Sequence, residues 1–181
     1  MKENWWMSDT KPEERKILLV GIGNCGRGDD GLGWSFVEAI TDGNYHFLDY
    51  EYRYQLQVED ADLIAAYDTV IFVDASQEVI REGFEITPCV PAGPYSFTTH
   101  ALDPGAVVYL TNTLFHKYPA AYVLAIYGVA WELHCGLSPE AESNLSAALG
   151  FFRENVLPAM QQERIAEVLL EEPEDFEVLP G

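Results

Sequence analysis

Residues 21–33 read Gly-Ile-Gly-Asn-Cys-Gly-Arg-Gly-Asp-Asp-Gly-Leu-Gly, and this segment is the most informative part of the sequence. The apolar run Ile17–Val20 precedes it, and Trp34–Ile40 follows it with apolar residues at helical spacing. An apolar strand, a glycine-rich turn and an amphipathic helix, in that order, form the first βα unit of an α/β domain. Two adjacent aspartates, Asp29 and Asp30, stand where the helix begins. The turn is therefore suited to hold a positive charge, most simply a metal ion.

The remaining sequence continues the alternation of strands and helices. Strands are predicted over 16–23, 45–54, 69–73, 84–90 and 122–131, and helices over 29–41, 58–67, 102–118 and from 138 onward. Gly33, near the start of the first helix, predicts a close approach of that helix to the sheet. No repeat or linker divides the chain, so we predict one α/β domain over residues 1–160. Residues 161–181 are rich in Glu and predict a solvated acidic tail.

Composition limits the class of protein. The 181 residues suit one domain, and 48% hydrophobic residues can fill its core. A formal net charge of −20, from 30 acidic and 10 basic residues, argues against nucleic acid or an anionic membrane surface as the main partner. Three cysteines without metal-type pairing predict reduced thiols. We find no signal peptide or membrane-spanning segment, and we expect a cytoplasmic protein.

Three chemically active side chains are predicted at one edge of the sheet. In an open parallel sheet the ligand crevice lies at the carboxyl ends of the strands. Asp30 follows the first strand, Asp74 ends the third, and His100 lies in a loop before a helix. Two carboxylates and one imidazole would leave a divalent ion with open positions, and they suit nickel, zinc or iron.

Each of these residues also has an ordinary structural explanation. Asp29 can be a helix N-cap, Asp74 a residue of a strand-end turn, and His100 a surface or hydrogen-bonded histidine. The specificity of the prediction therefore comes from the set of three and not from any one member.

Four motifs in a fixed order make the chain resemble the hydrogenase maturation proteases over about residues 16–152. They are Gly21-x-Gly23-Asn24-(x4)-Asp29-Asp30-Gly31-x-Gly33, Ile71-Phe72-Val73-Asp74-Ala75, Thr98-Thr99-His100 and Gly136-Leu137-Ser138-Pro139-Glu140. Members of this family are endopeptidases that remove a C-terminal extension from the nickel–iron hydrogenase large subunit after nickel insertion. The resemblance implies a three-layer α/β/α sandwich around a mainly parallel, roughly five-stranded sheet.

The resemblance also implies roles for individual residues. Asp30, Asp74 and His100 match the positions that bind the metal in the family, and the nickel would be carried by the large-subunit precursor. We expect no organic cofactor, and a monomer or weak oligomer. Asp30, Asp74 and Asp29 are the catalytic candidates, and a free carboxylate, Asp29 or Asp30, can act as a general base. The sequence leaves open which of them does so.

Substrate recognition is where the chain departs from the family. Many members carry a glycine–threonine element after the second strand that helps to recognise the substrate. This chain has Arg53-Tyr54-Gln55-Leu56 there, which is similar to a branch found beside cytoplasmic, bidirectional-type hydrogenases. We predict that Arg53 and Gln55, with Asn24 of the first motif, contact the substrate. The Trp5-Trp6 segment and the acidic tail lie outside the resemblance.

Two other functions compete with a protease. Gly21-x-Gly23-x-x-Gly26 matches the dinucleotide-binding fingerprint, with Asp49 near the place of a ribose-binding acid. Against this, Asp29 and Asp30 place negative charge where a pyrophosphate would bind. The second alternative is a non-catalytic, metal-dependent binding module or chaperone for the large subunit. A cysteine protease is not expected, because the adjacent residues His134 and Cys135 would point to opposite faces on a strand.

Overall fold

A single five-stranded sheet organises the protein in the computed structural model, which describes residues 15–93, 102–162, 164 and 167–168. The strands are β1 (Ile17–Ile22), β2 (Leu48–Arg53), β3 (Thr69–Ser76), β4 (Phe84–Pro88) and β5 (Ala120–Tyr127). The helices are α1 (Leu32–Thr41), α2 (Asp60–Ile64), α3 (Pro104–Phe115), α4 (Pro139–Phe151) and α5 (Leu157–Gln161). A 3-10 turn, Gly28–Gly31, precedes α1, and a π-helical turn, Phe152–Val156, joins α4 to α5.

The strand order places a ligand-binding crevice between β1 and β3. The order is β2-β1-β3-β5-β4, with only β4 antiparallel to its neighbour. From β1 the chain passes to β2 on one side and then to β3 on the other, so the direction of winding reverses there. Open α/β sheets bind ligands at the carboxyl edge of such a switch point. The predicted mainly parallel sheet is confirmed.

Helices cover both faces of the sheet and make three layers. Every residue of β1 is buried, as its continuous apolar sequence predicts. Ile17 and Leu19 belong to a core on the side of α1, α4 and α5, whereas Leu18 and Val20 belong to a core on the side of α2 and α3. The predicted α/β/α sandwich is therefore confirmed.

Side-chain caps begin α3 and α4. The Asp103 carboxylate accepts a hydrogen bond of 2.7 Å from the Ala106 amide at the start of α3. The Ser138 hydroxyl accepts one of 3.1 Å from the Ala141 amide at the start of α4. Each cap pairs an amide that has no partner within its helix, which is worth about 1 kcal/mol.

Gly33 allows α1 to lie directly against the sheet. A Cβ atom at this position would lie 2.3 Å from the carbonyl oxygen of Ile22 and 2.4 Å from that of Val73. No side chain fits at such distances, so the close approach predicted from this glycine is confirmed. Because Ile22 ends β1 and Val73 belongs to β3, the start of α1 is held over the switch point.

Several predicted boundaries differ from the structure. β3 continues through Asp74 to Ser76, so Asp74 is a strand residue and the strand-end turn explanation is wrong. β5 ends at Tyr127, and residues 128–138 form an irregular loop. His134 and Cys135 therefore lie in a loop and not on a strand. Beyond Tyr127 the Gly128 amide still donates to the Ser76 carbonyl of β3, but the amides of Val129 and Ala130 donate to the carboxylate of Asp29 and not to a neighbouring strand.

Other predictions fall on residues that the structure does not describe. These are the Trp5-Trp6 segment, His100 and most of the acidic tail. Within the described ranges, no helix is both long enough and apolar enough to cross a membrane.

Candidate active site

An open cleft of about 480 Å³ lies at the switch point, between the carboxyl ends of β1 and β3 and the start of α3. Two of its lining residues are the predicted metal ligands Asp30 and Asp74. The full lining consists of Ile22, Gly23, Asp30, Tyr54, Gln55, Leu56, Asp74, Leu102, Asp103 and Pro104. Two carboxylates that are far apart in sequence thus face one cavity, where the order of strands places the ligand site.

The 3-10 turn presents Asp30 to the cleft. The Asp30 carbonyl accepts a hydrogen bond of 3.0 Å from the Asn24 amide, and the Asp30 amide donates one of 3.2 Å to the Arg27 carbonyl. Gly23, with a φ of +130°, packs so closely that a Cβ atom would overlap the Asp30 carbonyl oxygen. The backbone on both sides of Asp30 is therefore fixed, while its side chain remains partly exposed.

Asp74 is a carboxyl group that changes its charge near neutral pH. Burial raises the pKa of Asp74 to about 7, and the negative charge of Asp30 adds to this effect. A hydrogen bond of 2.8 Å from the Ala75 amide to Oδ1 lowers the pKa only in part. A group with a pKa near the working pH is suited to accept and release a proton.

The third predicted metal ligand, His100, lies outside the described residues. Among the residues that the structure does describe, no group of three or more His, Cys, Asp or Glu side chains could hold a metal ion. Asp30 and Asp74 thus place two carboxylates in the cleft as candidate metal ligands, and a nitrogen ligand from His100 stays a prediction.

Asp29 differs completely from its neighbour Asp30, because it is fully buried and does not line the cleft. Its carboxylate accepts four hydrogen bonds from the loop between β5 and α4. The amides of Val129 and Ala130 donate to Oδ2 at 2.7 and 2.8 Å, and the Ser138 amide and hydroxyl donate to Oδ1 and Oδ2, each at 2.7 Å. Burial raises the pKa of Asp29, but these hydrogen bonds outweigh it and hold the pKa below its usual range.

Neither role predicted for Asp29 agrees with this geometry. The N-cap explanation is wrong, because Asp29 lies inside the 3-10 turn and the N-cap of α1 is Gly31. A catalytic role is not supported either, because both carboxylate oxygens bind loop donors away from the cleft.

Of the predicted substrate contacts, Gln55 is exposed and lines the cleft. Arg53 is held elsewhere: its Nε donates to Asp60 at 2.8 Å and its Nη1 donates to Glu51 at 2.6 Å. The pair with Asp60 fixes the end of β2 to the start of α2, whereas the pair with Glu51 lies within β2. Arg53 therefore supports the segment that lines the cleft and does not itself line it.

Asn24 also has a structural task. Its side-chain oxygen accepts a hydrogen bond of 2.9 Å from the Gly26 amide, which closes a turn in the glycine-rich loop. Like Arg53, Asn24 does not line the cleft.

The sequence did not identify every residue of the cleft. Asp103, which caps α3, also lines the cavity. Tyr54 is 66% exposed at the rim and packs against Trp34, with ring centroids 4.9 Å apart. Alternating aromatic residues before Gln55 were the available signal, and they were interpreted only as a strand.

The glycine-rich loop has few amides free for a phosphate. The amides of residues 23, 24 and 26–30 all donate to oxygen atoms of the protein itself. A dinucleotide-binding loop must direct such groups at the pyrophosphate. This arrangement argues against the dinucleotide-binding alternative.

Solved structures with the same fold include hydrogenase maturation enzymes. No protein-family model matches the chain, and no curated protein matches it by sequence. The hydrogenase maturating endopeptidase HybD from E. coli superposes with a TM-score of 0.60 at 21% identity, over 82% of this chain and 93% of that chain. The NiFe hydrogenase maturation protease HycI from Thermococcus kodakarensis gives 0.62 at 19% identity, over 81% and 92%. A solution structure of an endopeptidase from Escherichia coli gives 0.62 at 24% identity, over 82% and 93%. The chain therefore has the fold of these endopeptidases over most of its length.

Proposed function

We propose that this protein is an endopeptidase that removes the C-terminal extension of a nickel–iron hydrogenase large-subunit precursor after nickel insertion. The observation that carries the proposal is the position of Asp30 and Asp74, which line one cleft at the switch point of this fold. The four motifs and the fold shared with maturation endopeptidases support the same activity.

In this proposal the nickel ion is part of the substrate and not a resident cofactor. Asp30 and Asp74 would bind the ion through carboxylate oxygens, and His100 would add an imidazole nitrogen. Such a mixed donor set suits a borderline metal and leaves coordination positions open. The open positions let the ion stay attached to the precursor while it orients or polarises the scissile carbonyl group. Cleavage would then depend on prior nickel insertion.

Hydrolysis needs a water molecule and a group that takes its proton. The water oxygen attacks the scissile carbonyl carbon, a carboxylate accepts the proton, and the peptide nitrogen leaves after it is protonated. Three carboxylates line the cleft, and Asp103 caps α3, so Asp74, whose pKa is raised to about 7, and Asp30 are the candidates for this base. One of them would bind the ion through one carboxylate oxygen and accept the proton on the other.

The proposed partner is the precursor alone, bound by a monomer or weak oligomer of this protein. Gln55 would contact the peptide, because it is exposed on the wall of the cleft. We propose a cytoplasmic location, since the Arg53-Tyr54-Gln55-Leu56 segment is similar to the branch found beside cytoplasmic hydrogenases.

The test is cleavage of purified precursor with and without nickel, followed by gel mobility and intact mass. Wild-type protein should release the extension only from the nickel-loaded precursor. Asp30→Asn, Asp74→Asn and His100→Ala should each slow release by at least about 100-fold, as expected for a lost ligand or base. Asp42→Asn, at the exposed end of α1, is the matched control and should cleave like the wild type.

Other outcomes would contradict the proposal. Cleavage of precursor that lacks nickel would exclude the dependence on nickel, and full activity of all three variants would exclude the site. Stable binding of nickel-loaded precursor without any cleavage would favour the non-catalytic binding module or chaperone.

A further inference from the structure

We propose that Asp29 is a positioning residue that holds the 3-10 turn so that Asp30 points into the cleft. Its four hydrogen bonds to the loop between β5 and α4 form what we call the Asp29 clamp, which consists of Asp29, Val129, Ala130 and Ser138. The consequence for catalysis rests on the proposed function, but the consequence for the backbone does not.

The clamp joins parts of the chain that are about 100 residues apart. Asp29 is 0% exposed, so its carboxylate exchanges no hydrogen bonds with solvent. The backbone adds two further bonds across the same contact: the Gly28 amide donates to the His134 carbonyl and the Asp29 amide to the Ala130 carbonyl, each at 2.8 Å. The loop is thus bonded to the turn both through the Asp29 carboxylate and through backbone groups of the turn.

The position of Asp30 follows from this contact. Asp30 is the next residue in the same 3-10 turn, and in that turn its own amide makes one bond, to the Arg27 carbonyl at 3.2 Å. A turn of four residues with so few internal bonds has little stability of its own. The clamp supplies the missing restraint on one side, and the start of α1 supplies it on the other.

The chemical form of Asp29 is required for this role. An ionised carboxylate offers acceptors to all four donors, whereas an amide would turn an NH₂ group toward at least one of them. A buried carboxylate that is surrounded only by hydrogen-bond donors is stable in its ionised form, because each charge-assisted hydrogen bond replaces a hydrogen bond to water. Its oxygens are therefore used for structure, while those of Asp30 remain available in the cleft.

Two variants weaken the clamp from opposite sides. Asp29→Asn places an amide among donors, and Ser138→Ala removes the hydroxyl that donates at 2.7 Å. Because Ser138 also caps α4, the control is Ala148→Gly, which weakens the buried interior of the same helix without touching the clamp. If Asp29→Asn does not fold, Ser138→Ala alone decides each comparison below.

The first measurement is amide hydrogen exchange in the full chain without precursor. Both clamp variants should speed exchange of the Asp30, Val129 and Ala130 amides by about tenfold or more, because opening of the turn becomes easier. Ala148→Gly should leave these three amides unchanged. Unchanged exchange at Asp30 in Ser138→Ala would overturn the proposal, and this result does not depend on any peptidase activity.

The second measurement is steady-state cleavage of nickel-loaded precursor well below the melting temperature of each variant. Both clamp variants should lower kcat by about 10- to 100-fold, as expected for a displaced catalytic group, with KM nearly unchanged. The double variant should lose no more than the worse single variant, because both break one contact. Loss of kcat in Asp29→Asn but not in Ser138→Ala would mean that Asp29 itself reacts, and would overturn the positioning role. If wild-type protein cleaves no precursor, the proposed function fails and the exchange measurement alone decides the clamp.

Discussion

Replacing Asp74 by asparagine should stabilise the folded protein at neutral pH while it stops cleavage. The carboxyl group has a pKa of about 7 in the folded protein, against 3.8 for a free aspartate. Between these values the folded state binds more protons than the unfolded state, so stability falls as the pH rises from about 4 to about 7. At about 1.4 kcal/mol per pKa unit, a shift of about three units corresponds to an upper limit of about 4 kcal/mol at pH 8.

Asparagine has the shape of the neutral acid and can still accept the hydrogen bond from the Ala75 amide. Asp74→Asn should therefore remove much of this cost and raise the free energy of unfolding at pH 8 by about 1–4 kcal/mol. At pH 4 the wild-type group is already protonated, and the two proteins should be nearly equal. Because only ionisation of residue 74 differs between them, the gain should grow over the same pH range in which Asp74 loses its proton.

The assay is urea unfolding of wild type, Asp74→Asn and the exposed control Asp42→Asn at several pH values from 4 to 8. The control should show no gain that depends on pH. An Asp74→Asn protein that is no more stable than wild type at pH 8 would refute the reasoning. A gain of equal size at pH 4 and pH 8 would do the same, because the stabilisation would then have a cause other than charge.

Three further predictions follow from the cleft and the sheet. The kcat/KM for cleavage of nickel-loaded precursor should fall as the pH drops below about 7, because protonated Asp74 can neither bind the ion nor accept a proton. In Asp30→Asn, the residual activity should show this fall at a lower pH. A flat wild-type profile from pH 6 to 8 would contradict both statements. Gly33→Ala should lower the free energy of unfolding by about 1–3 kcal/mol or more, because the new Cβ would overlap the Ile22 and Val73 carbonyls. Gly150→Ala, where a Cβ has open space, should leave the free energy of unfolding unchanged or raise it. Equal denaturant midpoints for the two variants would show that α1 can shift at no cost. Gln55→Ala should raise KM by about 3- to 10-fold with kcat and melting temperature unchanged, as for one lost polar contact to the substrate, and an unchanged KM would remove Gln55 from the binding site.

The order of the elements and the place of the crevice can both be predicted from local patterns in the sequence. The apolar run of β1, the glycine-rich turn and the helical spacing after Gly33 are local patterns, and the structure follows them closely. The caps Asp103 and Ser138 are local too, since each side chain bonds an amide three residues ahead. Parallel strands then bring Asp30 and Asp74 to one edge, because their carboxyl ends lie side by side.

The role of each polar side chain depends on the packing of the folded chain. Asp29 and Asp30 are adjacent and identical in chemistry, yet one is buried in the clamp and the other faces the cleft. Arg53 pairs with Asp60 and Glu51 instead of lining the cleft, and Asp74 acquires a pKa near 7. Local patterns report periodicity and turn preference. A side chain's partners and its exposure to water depend on segments far along the chain, such as Asp29 and Ser138, which are 109 residues apart. Charge and hydrogen bonding act over a few ångströms in space, so these roles exist only once the chain has folded.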